Sequence, residues 1–303
     1  MAASTDAGFH AGELAVQQRA GVRDDAARLV RMLEPAQLRG GMAAFLRERT
    51  FAVITGRDQA GRLWTSPLAG SPGFLEAASP AVLDVHARLA DTDPLRGLAA
   101  GQKVGLVVVE FATRRRVRIN GVLAEAAEDK LAVEVEQAYG NCPQYIRPRS
   151  LDPDVLAAAV GGARYGTALS PQDVAQVGAA DTFFLGTSHP RRGCDASHRG
   201  GPRGFVRVRP DGGLRWPDYP GNNMFNSFGN LAIDPAAALL FLDFDTGRTL
   251  QLSGTAEVEW DDSAPGGTSE RSVAFTPQQL VAPGRSTGSR PDTTAARHDL
   301  LSR

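Results

Sequence analysis

The chain has 303 residues, a formal net charge of −1, 42% apolar residues and 22% charged residues. This is the composition of a globular protein of two ordinary domains or one large one, and it gives no electrostatic case for nucleic acid or an anionic membrane as partner. No apolar run approaches the roughly 20 residues that cross a bilayer, the N-terminus MAASTDAGFHAGEL lacks a secretory pattern, and Cys142 and Cys194 fit a reducing, cytoplasmic setting without a disulfide scaffold.

Residues 1–50 read as an N-terminal helical segment, with helices expected over Arg23–Leu33 and Pro35–Arg49, where Leu38, Met42 and Phe45 recur at helical spacing. FAVIT and LWTSP then read as short strands separated by turn residues. LVVVEF is a continuous apolar run of strand length, which implies burial on both faces, and RVRINGVLAE alternates as a strand with one buried face. A helix is expected over Asp129–Tyr139, ended by GNCP, and further helices over Asp152–Val160 and Ser170–Val177. Ser170 suits the N-cap of the last one and Pro171 its first position. FFLGT, CDASH, LLFLDF and TLQLSGTAEV repeat the strand signals. Residues 276–303 are polar, without periodicity, and are expected to be disordered.

Two parts of this order are copies. Thr92–Glu125 aligns without a gap with Phe225–Val258 at an offset of 225 − 92 = 133, matching Leu106 with Leu239, Phe111 with Phe244 and Gly121 with Gly254. Upstream the register changes by one residue, pairing Thr55 with Thr187, Gly61 with Gly193 and Phe74 with Phe205. Ordered signals over about 75 residues imply duplication. The expected organisation is mainly β with flanking helices, a small barrel per copy: residues 51–150 form the first repeat with a trailing helix, and residues 151–275 the second with leading helices.

Chemistry concentrates in DASHRGGPRGF and YPGNNMFNSFGN. Ser197, His198 and Arg199 lie on a predicted strand, followed by Asn222, Asn223, Asn226, Ser227 and Asn230. Cation, hydroxyl and glycine backbone suit a phosphate, and amides suit the edges of a planar heterocycle, although the same residues also make turns. Arg114–Arg116, at a hairpin tip, reads as solvated. Cys142 and Cys194 read as packing residues. The five scattered histidines have no metal-ligand spacing, so no metal site is expected. Asp195, Ser197 and His198 are too close in sequence to assemble a hydrolase relay.

The run PDYPGNNMFNSFGNLAIDPAAALLFLDFDTGRTLQLSGTAEV, with SHRGG before it, resembles the pyridoxamine 5'-phosphate oxidase-like family of FMN-binding split barrels. The similarity is strongest over Asp181–Trp260 and reaches Phe51–Glu125 through the repeat. It implies two tandem split barrels with a flavin held between them, within one chain or across a homodimer. By position it puts the family's second-strand arginine at His198, with Arg199 next, and the family's basic pair at Asn226 and Ser227. Thr249 falls at the flavin-facing glutamine, and Gln251 lies two residues on.

The family's C-terminal substrate signature is absent, so the resemblance implies an FMN-binding oxidoreductase rather than a vitamin B6 oxidase. Deazaflavin and haem are the alternative cofactors, with His189 and His198 as candidate axial ligands. A non-enzymatic flavin or haem carrier is the alternative function, and a scaffold that has lost its ligand is a third. One site per chain is expected, in the second repeat. Substrate and electron partner are not specified.

Overall fold

The computed structural model describes residues 8–33, 37–140, 143–151, 155–156, 162–261 and 270–284. The first repeat contributes β1 (Phe51–Arg57), β2 (Leu63–Ala69), β3 (Leu75–Ser79), β4 (Val82–Val85), β5 (Lys103–Glu110), β6 (Arg115–Ala126) and β7 (Leu131–Gly140). After β8 (Ala163–Gly166), the second contributes β9 (Thr182–His189), β10 (Gly193–Gly200), β11 (Arg207–Val208), β12 (Leu214–Pro217), β13 (Ala236–Leu242), β14 (Thr249–Asp261) and β15 (Glu270–Pro283). The strand orders are β2-β1-β5-β6-β7-β4-β3 and β10-β9-β13-β14-β15-β12-β11, with β8 added beside β15. One order is the other, strand for strand. Every pairing is antiparallel, and the expected mainly β architecture of two tandem split barrels is the observed one.

Register makes the duplication quantitative. Leu106 faces Ile119 and Leu239 faces Leu252, so both strands match at 239 − 106 = 133 and 252 − 119 = 133. Each copy then shifts register at the same place, between Asn120 and Gly121 and between Ser253 and Gly254. Such a bulge bends the strand and re-aims the residues beyond it. In the first strand pair the sequence alignment needs correction. Ile54 faces Leu106 and Leu185 faces Leu239, which sets that offset at 185 − 54 = 131 and matches Thr55 with Gly186, not Thr187.

The apolar runs are buried on both faces because each repeat packs on the other. Ala52, Ile54, Leu106 and Val108 point into the first barrel. Their neighbours Phe51, Val53, Val107 and Val109 form a shared core with Phe184, Ala196, Leu240 and Leu242 of the second barrel. At the seam the backbones nearly touch. A Cβ on Gly105 would lie 2.6 Å from the Cys194 carbonyl, and one on Gly186 would lie 2.6 Å from Thr55 Cγ2.

Five described helices frame the barrels: α1 (Ala11–Arg19), α2 (Arg23–Ala27), α3 (Gly41–Arg47), α4 (Pro171–Ala179) and α5 (Asn226–Leu231). α4 starts as expected, with Ser170 Oγ accepting from Asp173 N (3.3 Å) and Asp173 Oδ2 accepting from Ser170 N (2.8 Å). The two expected N-terminal helices are shorter, because Gly40 caps α3 at φ 53° and a 3-10 turn replaces the end of the first at Val30–Leu33. The helix expected at Asp129–Tyr139 is strand β7. Its Ala and Glu content favours helix, but Val133 and Val135 alternate with Glu134 and Glu136, and pairing with β6 and β4 decides the outcome. Of the helix expected at Asp152–Val160, only Val155 and Leu156 are described, and both are helical. Cys142 lies outside the described residues. β15 extends through Thr276–Pro283, so the expected disorder does not begin at 276; residues 285–303 are outside the described set.

The seam generates a prediction. Gly186→Ala should destabilise the protein by about 2 kcal/mol, since overpacked cores lose roughly 1–3. Gly140→Ala, whose Cβ meets nothing within 4 Å, should leave the urea midpoint nearly unchanged. Equal midpoints for the two variants would show that the seam tolerates looser packing.

Candidate functional site

A pocket opens where the first barrel's β6 reaches under β10 and the loop from Pro217 to Phe228 of the second, enclosing about 820 Å³ counting its mouth. Arg116 and Arg118 enter from β6, His198 and Arg199 from β10, and Ser227 from the first turn of α5. Behind them lies a buried polar chain. Arg118 Nη1 donates to Asp195 Oδ2 (3.0 Å), and Ser227 Oγ contacts both Asp195 Oδ2 (3.3 Å) and Ser197 Oγ (3.2 Å). Ser197 Oγ in turn donates to the Leu185 carbonyl (3.3 Å).

Aromatic rings form part of the remaining wall. Tyr145 and Tyr219 stack at 5.3 Å, Phe225 and Phe228 at 5.9 Å, and the Arg199 guanidinium lies 5.1 Å above the Phe228 ring. Asp218, the one carboxylate lining the pocket among the described residues, is shared by Arg199 (3.5 Å) and Arg271 (3.0 Å). The loop is held in costly backbone. Asn223 (φ 60°) and Phe225 (φ 58°) are both left-handed, a conformation that Asn tolerates and a bulky aromatic rarely adopts.

Four of the lining residues each carry a buried N–H with no protein acceptor: Arg118 Nε, His198 Nε2, Arg199 Nε and Trp216 Nε1. Buried donors are nearly always satisfied, so four orphans on the residues lining one cavity are donors that a ligand's acceptors could meet. His198 is kept neutral. Burial, then the charges of Arg116, Arg149, Arg199 and Arg118, holds its pKa well below the ordinary imidazole value.

The ten residues singled out in the sequence divide. His198, Arg199, Asn222, Asn223, Asn226 and Ser227 line the pocket, and Ser197 stands directly behind it. Asn222 also makes a turn, accepting from Met224 N (3.2 Å). Asn230 faces away and ties Thr187 Oγ1 (3.0 Å) to His10 Nε2 (3.1 Å). Thr249 and Gln251 are not at this pocket. They occupy the equivalent place on the opposite side of the seam, as 249 − 116 = 133 and 251 − 118 = 133 in the strand register.

There Gln251 Nε2 donates to the Thr65 carbonyl (3.1 Å), Ser66 Oγ (2.9 Å) and Asp93 Oδ2 (3.1 Å), while Ser66 Oγ donates to Asp93 Oδ1 (2.7 Å). That second position is closed by its own side chains. The expectation that Arg114–Arg116 is solvated holds for Arg114 and Arg115 but not for Arg116, which lines the pocket, and Arg118 was missed, because sequence reasoning sought the whole site within one copy. His189 is also elsewhere: its ring lies tilted against His10 at 4.3 Å, and its Nδ1 accepts from the Arg191 and Arg192 amides.

No family model and no curated protein matches the chain. Solved structures similar to parts of it include a provisionally named pyridoxamine 5'-phosphate oxidase from Lactobacillus delbrueckii, 14% identical, with a TM-score of 0.32, covering 38% of this chain and 94% of that one. The heme storage protein HutZ from Vibrio cholerae is 12% identical, with a TM-score of 0.29, covering 38% of this chain and 95% of its own. An F420 reductase is 15% identical, with a TM-score of 0.28, covering 35% of this chain and 93% of that one.

The pocket's floor is pinned from outside the repeats. α1 crosses α5 so closely that a Cβ on Gly12 would overlap the Gly229 carbonyl, and one on Gly229 would lie 2.6 Å from Glu13 N. Glu13 is 4% exposed and accepts from His10 N (2.7 Å) and Asn226 Nδ2 (2.6 Å). Burial raises its pKa from 4.5 to about 7, against the pull of those two hydrogen bonds. Asp195 pushes it further up and Arg192 down. A raised carboxyl pKa means the stability this group contributes is complete below pH 4.5 and is lost as pH rises through 7. The loss should reach up to about 3 kcal/mol by pH 8. Glu13→Gln, which mimics the protonated acid, should flatten this part of the pH–stability curve in urea unfolding. A curve unchanged by the substitution would place the titration elsewhere.

Proposed function

We propose that the pocket between the barrels binds FMN and that the protein is an FMN-dependent oxidoreductase. The observation that carries this reading is the convergence of three arginines from two repeats, with four buried N–H groups on the lining residues lacking protein acceptors, beside an aromatic wall. A flavin nucleotide has a phosphate for the cationic end and a planar ring for the aromatic one. Arg116, Arg118 and Arg199 would hold the phosphate by charge-assisted hydrogen bonds, with Ser227 beside them. Tyr145, Tyr219, Phe225 and Phe228 would enclose the ring and exclude water. When bound, the flavin supplies the redox chemistry by accepting a hydride or an electron pair.

The chain's own part is binding and electrostatics. Neutral His198 and the arginines present only donors, and they favour a ligand that gains negative charge on reduction. A deazaflavin offers similar phosphate and ring edges and fits the same residues. Haem fits less well, because His198 Nδ1 accepts from Arg116 and its other nitrogen then carries the proton. Gln251, Ser66 and Asp93 satisfy one another on the opposite side, which supports one cofactor per chain. Because the two barrels meet within one chain, the reading needs no second subunit to complete the site.

Absorption spectroscopy of the purified protein, followed by titration of the apo form with FMN, tests this directly. A flavin spectrum saturating at one equivalent per chain is expected. Arg118→Ala and Arg199→Ala should each weaken binding about tenfold or more, given roughly 1.5–3 kcal/mol for a hydrogen bond to a charged group. Gln251→Ala should leave the FMN affinity unchanged. A protein that ignores micromolar FMN overturns the reading.

A further inference from the structure

His198 differs from an ordinary anion-binding histidine in what surrounds its two nitrogens. A guanidinium has donors and no acceptor. Arg116 Nη1 stands 3.2 Å from His198 Nδ1, so Nδ1 must present its lone pair there. The ring packs edge-to-face against Phe111 (6.3 Å) and Phe184 (5.9 Å). The proton of the uncharged imidazole therefore sits on Nε2, the atom that is buried without an acceptor.

The groups around it share one polarity. Arg116 and Arg118 of β6 and Arg199 of β10 donate only, and Arg149 lies close enough to act on the ring by charge. Asp218 is held by Arg199 and Arg271, and Asp195 by Arg118 and Ser227. The phenols of Tyr145 and Tyr219 complete the titratable groups on the lining. A ligand oxygen at His198 Nε2 would meet donors from the ring and the arginines, while the uncharged acceptors on the lining belong to side chains such as Asn222, Asn223, Asn226 and Ser227.

We propose that Arg116 is a positioning residue that fixes His198 as an Nε2–H donor, and that this donor makes the pocket select the dianionic form of a phosphomonoester over its monoanion. The inference rests on the reading of the pocket as a phosphate-bearing cofactor site. It separates from a histidinium site by the sign of its pH dependence. A charged histidine loses its proton near pH 6.5 and would release the anion as pH rises. The fixed neutral donor does not change, while the phosphate takes its second charge near pH 6.

Nitrogen-15 NMR of the ligand-free protein is the first measurement, with His198→Gln used to assign the ring. Nδ1 should be unprotonated and Nε2 protonated from pH 5.5 to 8. Arg116→Met should release the mixture of tautomers, and Arg116→Lys should restore the single one. FMN and riboflavin are then titrated at pH 5.0 and 7.5. FMN should bind about tenfold tighter at the higher pH, the ratio of dianion fractions for a second pKa of about 6, and riboflavin equally at both. His198→Gln, which keeps a donor, should bind FMN within about threefold of the parent, and His198→Leu should lose about tenfold.

An imidazolium at pH 6.5, an Nδ1-protonated ring, or FMN affinity that falls with pH each overturns the proposal. If FMN fails to bind at all, the cofactor reading falls, and inorganic phosphate becomes the probe. Phosphate should then shift the His198 ring signals more at pH 8 than at pH 5.5, and the reverse order, or no shift, overturns the proposal.

Discussion

Everything in this protein hangs on how closely two sheets approach each other. At Gly105 and Gly186 the facing strands leave no room for a Cβ, and around them Phe51, Val53, Val107, Phe184 and Leu240 form a core that belongs to neither barrel. That contact buries the second face of β1, β5, β9 and β13, which is why their apolar runs do not alternate. It also sets the distance at which β6 of one barrel can reach the loop of the other. The pocket is a consequence of that seam.

A two-fold arrangement of this kind makes two equivalent positions, and here they have diverged. On one side Arg116 and Arg118 face His198, Arg199 and Ser227, and buried donors are left open. On the other, Thr249 and Gln251 stand where the arginines would be, and Gln251, Ser66 and Asp93 consume one another's hydrogen bonds. A satisfied polar network stabilises a core, whereas orphaned donors weaken it by about 1–3 kcal/mol each. The closed side is what such a seam looks like when stability alone decides. The open side retains an unfavourable arrangement that a ligand can relieve, as functional sites commonly do.

The N-terminal helix extends this logic beyond the repeats. α1 has no counterpart in the duplication, yet the Gly12–Gly229 crossing and the Glu13–Asn226 hydrogen bond hold α5, and α5 presents Ser227 to the pocket. Phe225 keeps its left-handed backbone under the Arg271 guanidinium (5.1 Å) and against Phe228 (5.9 Å). A loop strained in this way stays in place only while its neighbours insist on it.

The amino-acid sequence by itself determined the duplication, the mainly β class, the doubly buried strands and one half of the site, because these arise from local patterns: apolar runs, turn glycines, and a cluster of Asn, Ser and Arg at fixed spacing. The Ser170 cap was legible for the same reason. Strand β7 was not, since its composition favours helix and only its partners β6 and β4 make it a strand. The one-residue slip between Thr187 and Gly186 was likewise hidden, because the true match of Thr55 to a glycine is set by steric fit across the seam rather than by residue likeness. Arg116 and Arg118 could have been found by asking which copy's strand faces which copy's loop, a question that local pattern cannot pose. Only the tertiary structure answers it: when a repeat packs against its own duplicate, each site draws half its side chains from the other copy. The arginines at 116 and 118 therefore serve the second repeat's loop, and Thr249 and Gln251 face the first.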